Sequence, residues 1–301
     1  MTIRQNVSNK LSLRRIRRYF SIPFKKAGIA VFLIGILGFS SCLPEQKVGR
    51  NFVNASSSMS LMVNPPSLVF MYNHKGETIE GFDSLSETGQ DSALWENSRY
   101  IRRLSDSLIL ENYMNNFLTE LRALGFKVIL GPIGDSAFQS GAQSYILDIA
   151  QLQIDEYLYP LEDEETIMDT IYVKKIDLNA LDFSGWFELH KFRKEPVNKT
   201  LLYATSTIYD SFDGQYYTDL FSSAVRYSYR LDTISLGDIY DMTKYLGKKH
   251  AGYLFDFFMN QYILQNMPNG MEPIDYFHYN RSKNSIVPAR EEQFEVLPNR
   301  D

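Results

Sequence analysis

Three carboxylates, Asp148, Asp155 and Glu156, are the side chains in this chain whose type and spacing best fit chemistry. Paired carboxylates can share general acid and base roles or cleave a glycosidic bond. All three lie in the apolar-rich segment Ser144–Tyr159, which reads as a strand. Asp148 and Asp155 are seven residues apart, and an odd spacing on a regular strand sends two side chains to opposite faces. The apolar parity of the segment also switches, from Tyr145, Leu147 and Ile149 to Ala150, Leu152 and Ile154. That switch fits either a bulge, which would realign the two acids, or a strand covered on both faces. The competing reading of these acids is a solvated or salt-bridged face.

Other constellations carry less. Glu162-Asp163-Glu164-Glu165 offers oxygen ligands of the kind Ca²⁺ takes, but lacks the Asp-x-Asp-x-Asp-Gly order and reads as a solvated turn. His74, His190, His250 and His278 match no His-x-x-x-His or His-Glu-x-x-His spacing, and Lys248-Lys249-His250 reads as a solvated helix face. No Gly-x-Ser-x-Gly elbow, Walker loop or dinucleotide-binding glycine pattern occurs, so no cofactor and no metal site is expected. The 20 tyrosines include Tyr209, Tyr216, Tyr217, Tyr227, Tyr229, Tyr276 and Tyr279 in polar contexts. Such rings can bind sugar faces or peptides, and they also simply favour strands.

The elements that must position these groups follow from periodicity. Residues 43–66, polar and ending in Pro65-Pro66, read as the greater part of a flexible tether spanning 42–66. Ser67–Tyr72 reads as a short strand, and residues 74–104 as a long, mobile polar excursion with a helical turn near Leu94–Leu104. Apolar residues from Leu108 to Leu124 recur at three and four, with Ser105 or Asp106 as N-cap and Gly125 as stop, so 106–124 is a helix. Phe126–Leu130 is a strand, and three long strands follow as an antiparallel meander: Ser144–Tyr159, Thr170–His190 and Thr200–Tyr209. Ser235 with Asp238 three residues on forms a capping box that opens a helix running to about Met267. The expected fold is α+β, a mostly antiparallel sheet with two long helices packed on one face, in a single domain spanning 67–267. Residues 268–301 read as a loosely ordered tail.

The first 41 residues differ in kind. They hold eight Lys or Arg and no Asp or Glu, and from Ala27 to Phe39 they are almost wholly apolar. A basic region, a short apolar run and small residues form a secretory signal, and the run is too short to favour a permanent spanning helix. Cys42, the only cysteine, follows Phe39-Ser40-Ser41, and this junction resembles a bacterial lipobox. The resemblance implies a signal peptide at 1–41, cleavage before Cys42 and acylation of Cys42, which would bind membrane lipid. Two or more acyl chains anchor stably where one is marginal. Leu43, in place of Asp, implies sorting to the outer membrane, with the periplasmic side favoured because the following stretch holds a single acid. A lone cysteine excludes an internal disulfide, and lipidation would remove it as a nucleophile or zinc ligand.

Asp-(Ser/Thr)-aliphatic text occurs six times, placing hydroxyls at Ser84, Ser92, Ser107, Ser136, Thr170 and Thr233. It is similar to the O-glycosylation acceptor of exported Bacteroidetes proteins, although Asp-Ser and Asp-Thr also suit turns and caps. Beyond residue 41 the chain carries 23 basic against 36 acidic groups, which argues against nucleic acid as a partner. Leu108–Leu124 followed by FKVIL, then SYILDIAQLQIDEY and the closing GKKHAGYLFDFFMNQYI, loosely resemble the small domain of envelope transport-auxiliary lipoproteins. The chain as a whole resembles Bacteroidetes-type outer-membrane lipoproteins of similar length. The expectation is a lipid-anchored, non-enzymatic accessory or scaffold protein with an envelope protein partner. A glycan-binding lipoprotein and a carboxylate-based hydrolase are the alternatives.

Overall fold

The computed structural model describes residues 44–131, 143–192, 198–268, 271, 273–289 and 293–298. The fold is α+β, as the sequence indicates. Its frame is a seven-stranded mixed sheet. The strands are β1 (Ser60–Asn64), β2 (Phe70–Asn73), β3 (Lys127–Leu130), β4 (Ser144–Ile167), β5 (Thr170–Lys191), β6 (Thr200–Tyr209) and a short C-terminal β11 (Glu295–Leu297), in the order β11-β6-β5-β4-β1-β3, with β2 also on β4. The β4–β5–β6 meander is antiparallel, whereas β1 and β2 run parallel to β4.

Strands β1 and β2 lie end to end along one edge of β4. β1 covers Ser144 to Asp148 and β2 covers Gln153 to Glu156. Between them fall Pro65-Pro66, which cannot donate to a ladder, and opposite that gap β4 carries a bulge between Ile149 and Gln151. Before the bulge Leu147 and Ile149 face the core; after it Leu152 and Ile154 do. The extra residue, Ala150, is exposed.

Two long helices close that face. Helix α3 (Asp106–Ala123) is capped by the Ser105 hydroxyl and stopped at Gly125, whose φ of +103° only glycine adopts without strain. Helix α4 (Leu236–Asn266) opens on the capping box of Ser235 and Asp238. They cross where Gly247 meets Tyr113; a Cβ there would lie 2.3 Å from the Tyr113 carbonyl oxygen. Phe117, Leu121, Leu246, Leu254 and Phe258 fill the space above Leu152, Ile154, Phe183, Phe187 and Leu202. No helix among the described residues is long and apolar enough to cross a membrane.

Four expectations need correcting. The tether is structured from Pro44 onward: α1 (Pro44–Ala55) packs Phe52 on Phe255 and Tyr262, and β1 is an interior strand. Its few apolar residues, Val48, Phe52 and Val53, form one narrow stripe, enough for a helix with a long neighbour to lie on. The tail is also built in. Hairpin β9–β10 (Tyr276–Asn280 and Ser285–Ala289) buries Phe277 and Ile286, and Phe294 is buried beside Phe187. Asn260 of α4 clasps the hairpin by giving its amide N–H to the Phe277 carbonyl and accepting the Phe277 N–H, at 2.7 and 2.8 Å. The acidic run Glu162–Glu165 lies within β4, and the turn is Met168-Asp169, both at positive φ. The structure also adds a hairpin for which the sequence reading named no element, β7 (Ser211–Thr218) with β8 (Val225–Asp232), in the tyrosine-rich stretch after β6.

The 74–104 excursion is pinned down. It holds α2 (Glu87–Asn97), and Tyr100 and Ile101 are buried.

Candidate functional site

Period-2 alternation gives β4, β5 and β6 two unlike faces. The helix face carries the apolar set above. The other carries Asp148, Gln151, Gln153, Asp155 and Tyr157 from β4, Asp182, Ser184, Trp186 and Glu188 from β5, and Tyr203, Thr205 and Thr207 from β6. This open face is the candidate site.

Its acids come in cross-strand pairs. Asp155 stands directly opposite Asp182, and Asp148 opposite Glu188. Residues so placed have Cβ atoms about 5 Å apart, and like charges there repel. Each acid has a local donor that offsets this. Asp155 is bonded by His74 Nε2 at 2.8 Å and by the Gln153 amide at 2.7 Å. Asp182 accepts from the Tyr157 hydroxyl at 3.1 Å and from the Thr207 hydroxyl. Asp148 accepts from the Asn64 amide at 2.6 Å, and Lys199 pairs with Glu188. Between the pairs, the Ser184 hydroxyl bonds Tyr203 and Thr205, and the Trp186 and Tyr203 rings lie 5.0 Å apart. At the far end Tyr159 and Tyr209 stack at 5.5 Å, both exposed.

The bulge does put Asp148 and Asp155 on one face. It does not make them a catalytic pair: six regular strand steps separate them, about 20 Å, where glycosidase acids stand within about 10 Å. Glu156 points the other way. It is fully buried, salt-bridged to Lys75 Nζ at 2.7 Å, and accepts N–H groups from Arg99, Tyr100 and Ile101 at 2.7–3.1 Å. Burial opposes its ionisation, but Lys75 and these amides outweigh it and hold the carboxyl below its ordinary value. Lys75 continues to Asn179, which donates to buried Asp210, and Asp210 also accepts from Ile234 N–H at 2.9 Å. Burial, with Asp210 next, pushes the Tyr100 phenol up to about 12. This network locks the excursion and the start of α4 onto the sheet, which is a structural role.

The remaining sequence candidates are dispersed. Cys42 and Ser136 lie outside the described residues. Ser84, Ser92, Ser107, Thr170 and Thr233 are all exposed: in a 3₁₀ turn, on α2, at the start of α3, at the β4–β5 turn and before α4. His250 is not on a solvated face. It is buried, with Nδ1 2.9 Å from the Tyr113 hydroxyl and no hydrogen-bond partner at Nε2 among the described residues, and burial followed by Lys249 lowers its pKa to about 3. Among the described residues no three His, Cys, Asp or Glu side chains could together hold a metal ion.

Asp182, Tyr157, His74 and Lys75 are missing from the sequence-derived candidates. The alternation Asp182, Ser184, Trp186, Glu188 against Leu181, Phe183, Gly185, Phe187, Leu189 is a readable sign of a polar strand face. Nothing in the sequence marks Lys75, 81 residues from its partner, as buried. No protein-family model matches the chain, and no curated protein matches it significantly.

Proposed function

We propose that the chain is a lipid-anchored envelope protein, acylated at Cys42, that serves without catalysis of its own as an accessory or scaffold subunit of a membrane-associated complex. The observation carrying this reading is the open sheet face, a broad surface of paired acids, amides, hydroxyls and aromatic rings with no helix over it among the described residues. Its acids are hydrogen-bonded by neighbouring side chains rather than poised around a cleft, which favours recognition over proton transfer. Aromatic rings ringed by polar groups suit a protein interface.

Two experiments test it. Intact mass of the membrane-extracted protein beside Cys42→Ala should give residues 42–301 plus acyl chains, lost in the variant; an uncleaved, unlipidated mass removes the anchor. Cysteine placed at Thr205 and crosslinked in whole cells should give one dominant protein adduct that Trp186→Ala weakens severalfold. A uniform smear of adducts removes the partner.

Glycan binding is the second reading, favoured by Trp186 beside Tyr203 and by the Tyr159–Tyr209 stack. It predicts saturable sugar affinity by calorimetry that Trp186→Ala abolishes.

A further inference from the structure

We propose that the shared outer end of the β4–β5 and β7–β8 hairpins is a second docking surface, made for a protein that offers an apolar pocket rimmed by basic side chains. Past Tyr157, β4 and β5 leave the helices and continue as a two-stranded arm. β7 continues the direction of β6 and runs alongside it, so the turn 219–224 and the turn Met168-Asp169 finish at the same end.

The arm is held by an aromatic strip. Phe212, Tyr229, Tyr227, Tyr216 and Tyr172 succeed one another with ring centroids 4.6–6.3 Å apart. Gly214 makes the strip possible, because a Cβ there would lie 2.0 Å from the Tyr227 hydroxyl. That hydroxyl donates to Asp163 at 2.6 Å and ties the hairpins together; burial, followed by the bond to Asp163, pushes its pKa up.

At the tip, Leu220 is 94% and Phe221 101% exposed, with Met168 at 88% and Ile171 at 61%. Four large apolar side chains gathered at one exposed end mark an interaction site. The turn is preorganised to display two of them. Asp219 Oδ1 accepts the N–H groups of Phe221 and Ser222 at 2.9 and 3.0 Å, and Arg226 pairs with the same carboxylate.

Charge selects the occupant. Residues 159–178 and 211–232 hold nine acids against four bases. Glu162, Glu164 and Glu165 are exposed. Such a collar is repelled by an anionic bilayer and attracted to a basic rim. Tyr145 against Phe258 places the start of β4 beside the second half of α4. The tip lies at the other end of β4, whose 24 residues span about 75 Å if straight, so the helices leave it uncovered.

A photo-crosslinking residue at Phe221 in the full chain, in whole cells, tests this. We expect one discrete protein adduct whose crosslinked peptide is apolar within a net basic segment. The adduct should fall at least fivefold in Glu164→Lys/Glu165→Lys and in Leu220→Ser. Lipid adducts, adducts of twice the chain's mass, no adduct, or a protein adduct indifferent to charge reversal each overturn the proposal. The Cys42→Ala mass measurement is separate. Loss of the anchor reading with the adduct intact would leave this proposal standing.

Discussion

From Leu147 to Glu156, β4 buries half of its side chains against the helices; from Tyr157 to Ile167 the same strand buries none. Strand β5 divides the same way, with nothing buried from Thr170 to Asp177 and deep burial from Leu178 to Leu189. One continuous hairpin is thus two environments. The inner half is held by apolar burial and the Lys75–Glu156–Asn179–Asp210 network. The outer half is held by an aromatic strip, one phenol–carboxylate bond and its ladder. The difference separates residues that hold the fold from residues that are shown to partners. Substitutions should sort accordingly.

The sharpest break of this comparison is Glu156→Ala. It leaves the Lys75 ammonium buried and three N–H groups unmet, so global stability by urea unfolding should fall by about 3–5 kcal/mol. A loss below 1 kcal/mol would mean the network is not what fastens the excursion.

Acid should also attack the inner half. The folded pKa of His250, about 3, lies below the ordinary 6.5, so between these values the unfolded chain binds the extra proton. Stability is then fully present above pH 6.5 and is lost as pH falls, by about 2 kcal/mol from pH 6.5 to 5. The His250→Gln variant should show a flatter profile over that window. Glu156, with its depressed pKa, adds a further loss only below its ordinary value of 4.5.

In the outer half, Gly214→Val forces the side chain into Tyr227 and Phe212. Overpacking of this kind costs about 1–3 kcal/mol. Hydrogen exchange should quicken across 211–232 and 159–178 while the inner strands keep their protection. The smallest effect belongs to Leu220→Ser/Phe221→Ser, which should change stability by less than about 0.5 kcal/mol. If Leu220→Ser alone also left the adduct formed from position 221 unchanged, the tip would be mere surface.

Much of this plan was legible. Helices α3 and α4 and strands β5 and β6 stand within a residue or two of their expected bounds, because strong periodicity coincides there with Ser105, Gly125 and the Ser235–Asp238 box. Helix α1 was hidden because it carries too few apolar residues to show a period. The acids at 162–165 read as a turn because exposed strands with no buried face lose the alternation that identifies strands. The open face is half legible: Asp148 and Asp155 stand out by type and spacing, but their placement hinges on a bulge. Their cross-strand partners depend on register, which one sequence does not display.

That bulge has a genetic consequence. Ala150 is exposed, so position 150 should accept nearly any residue. Deleting it is another matter. Every side chain of β4 before it would change sides, carrying Leu147 and Ile149 out of the core and Asp148 into it. In a scan of all single-codon changes, position 150 should therefore be silent to substitution and intolerant of deletion.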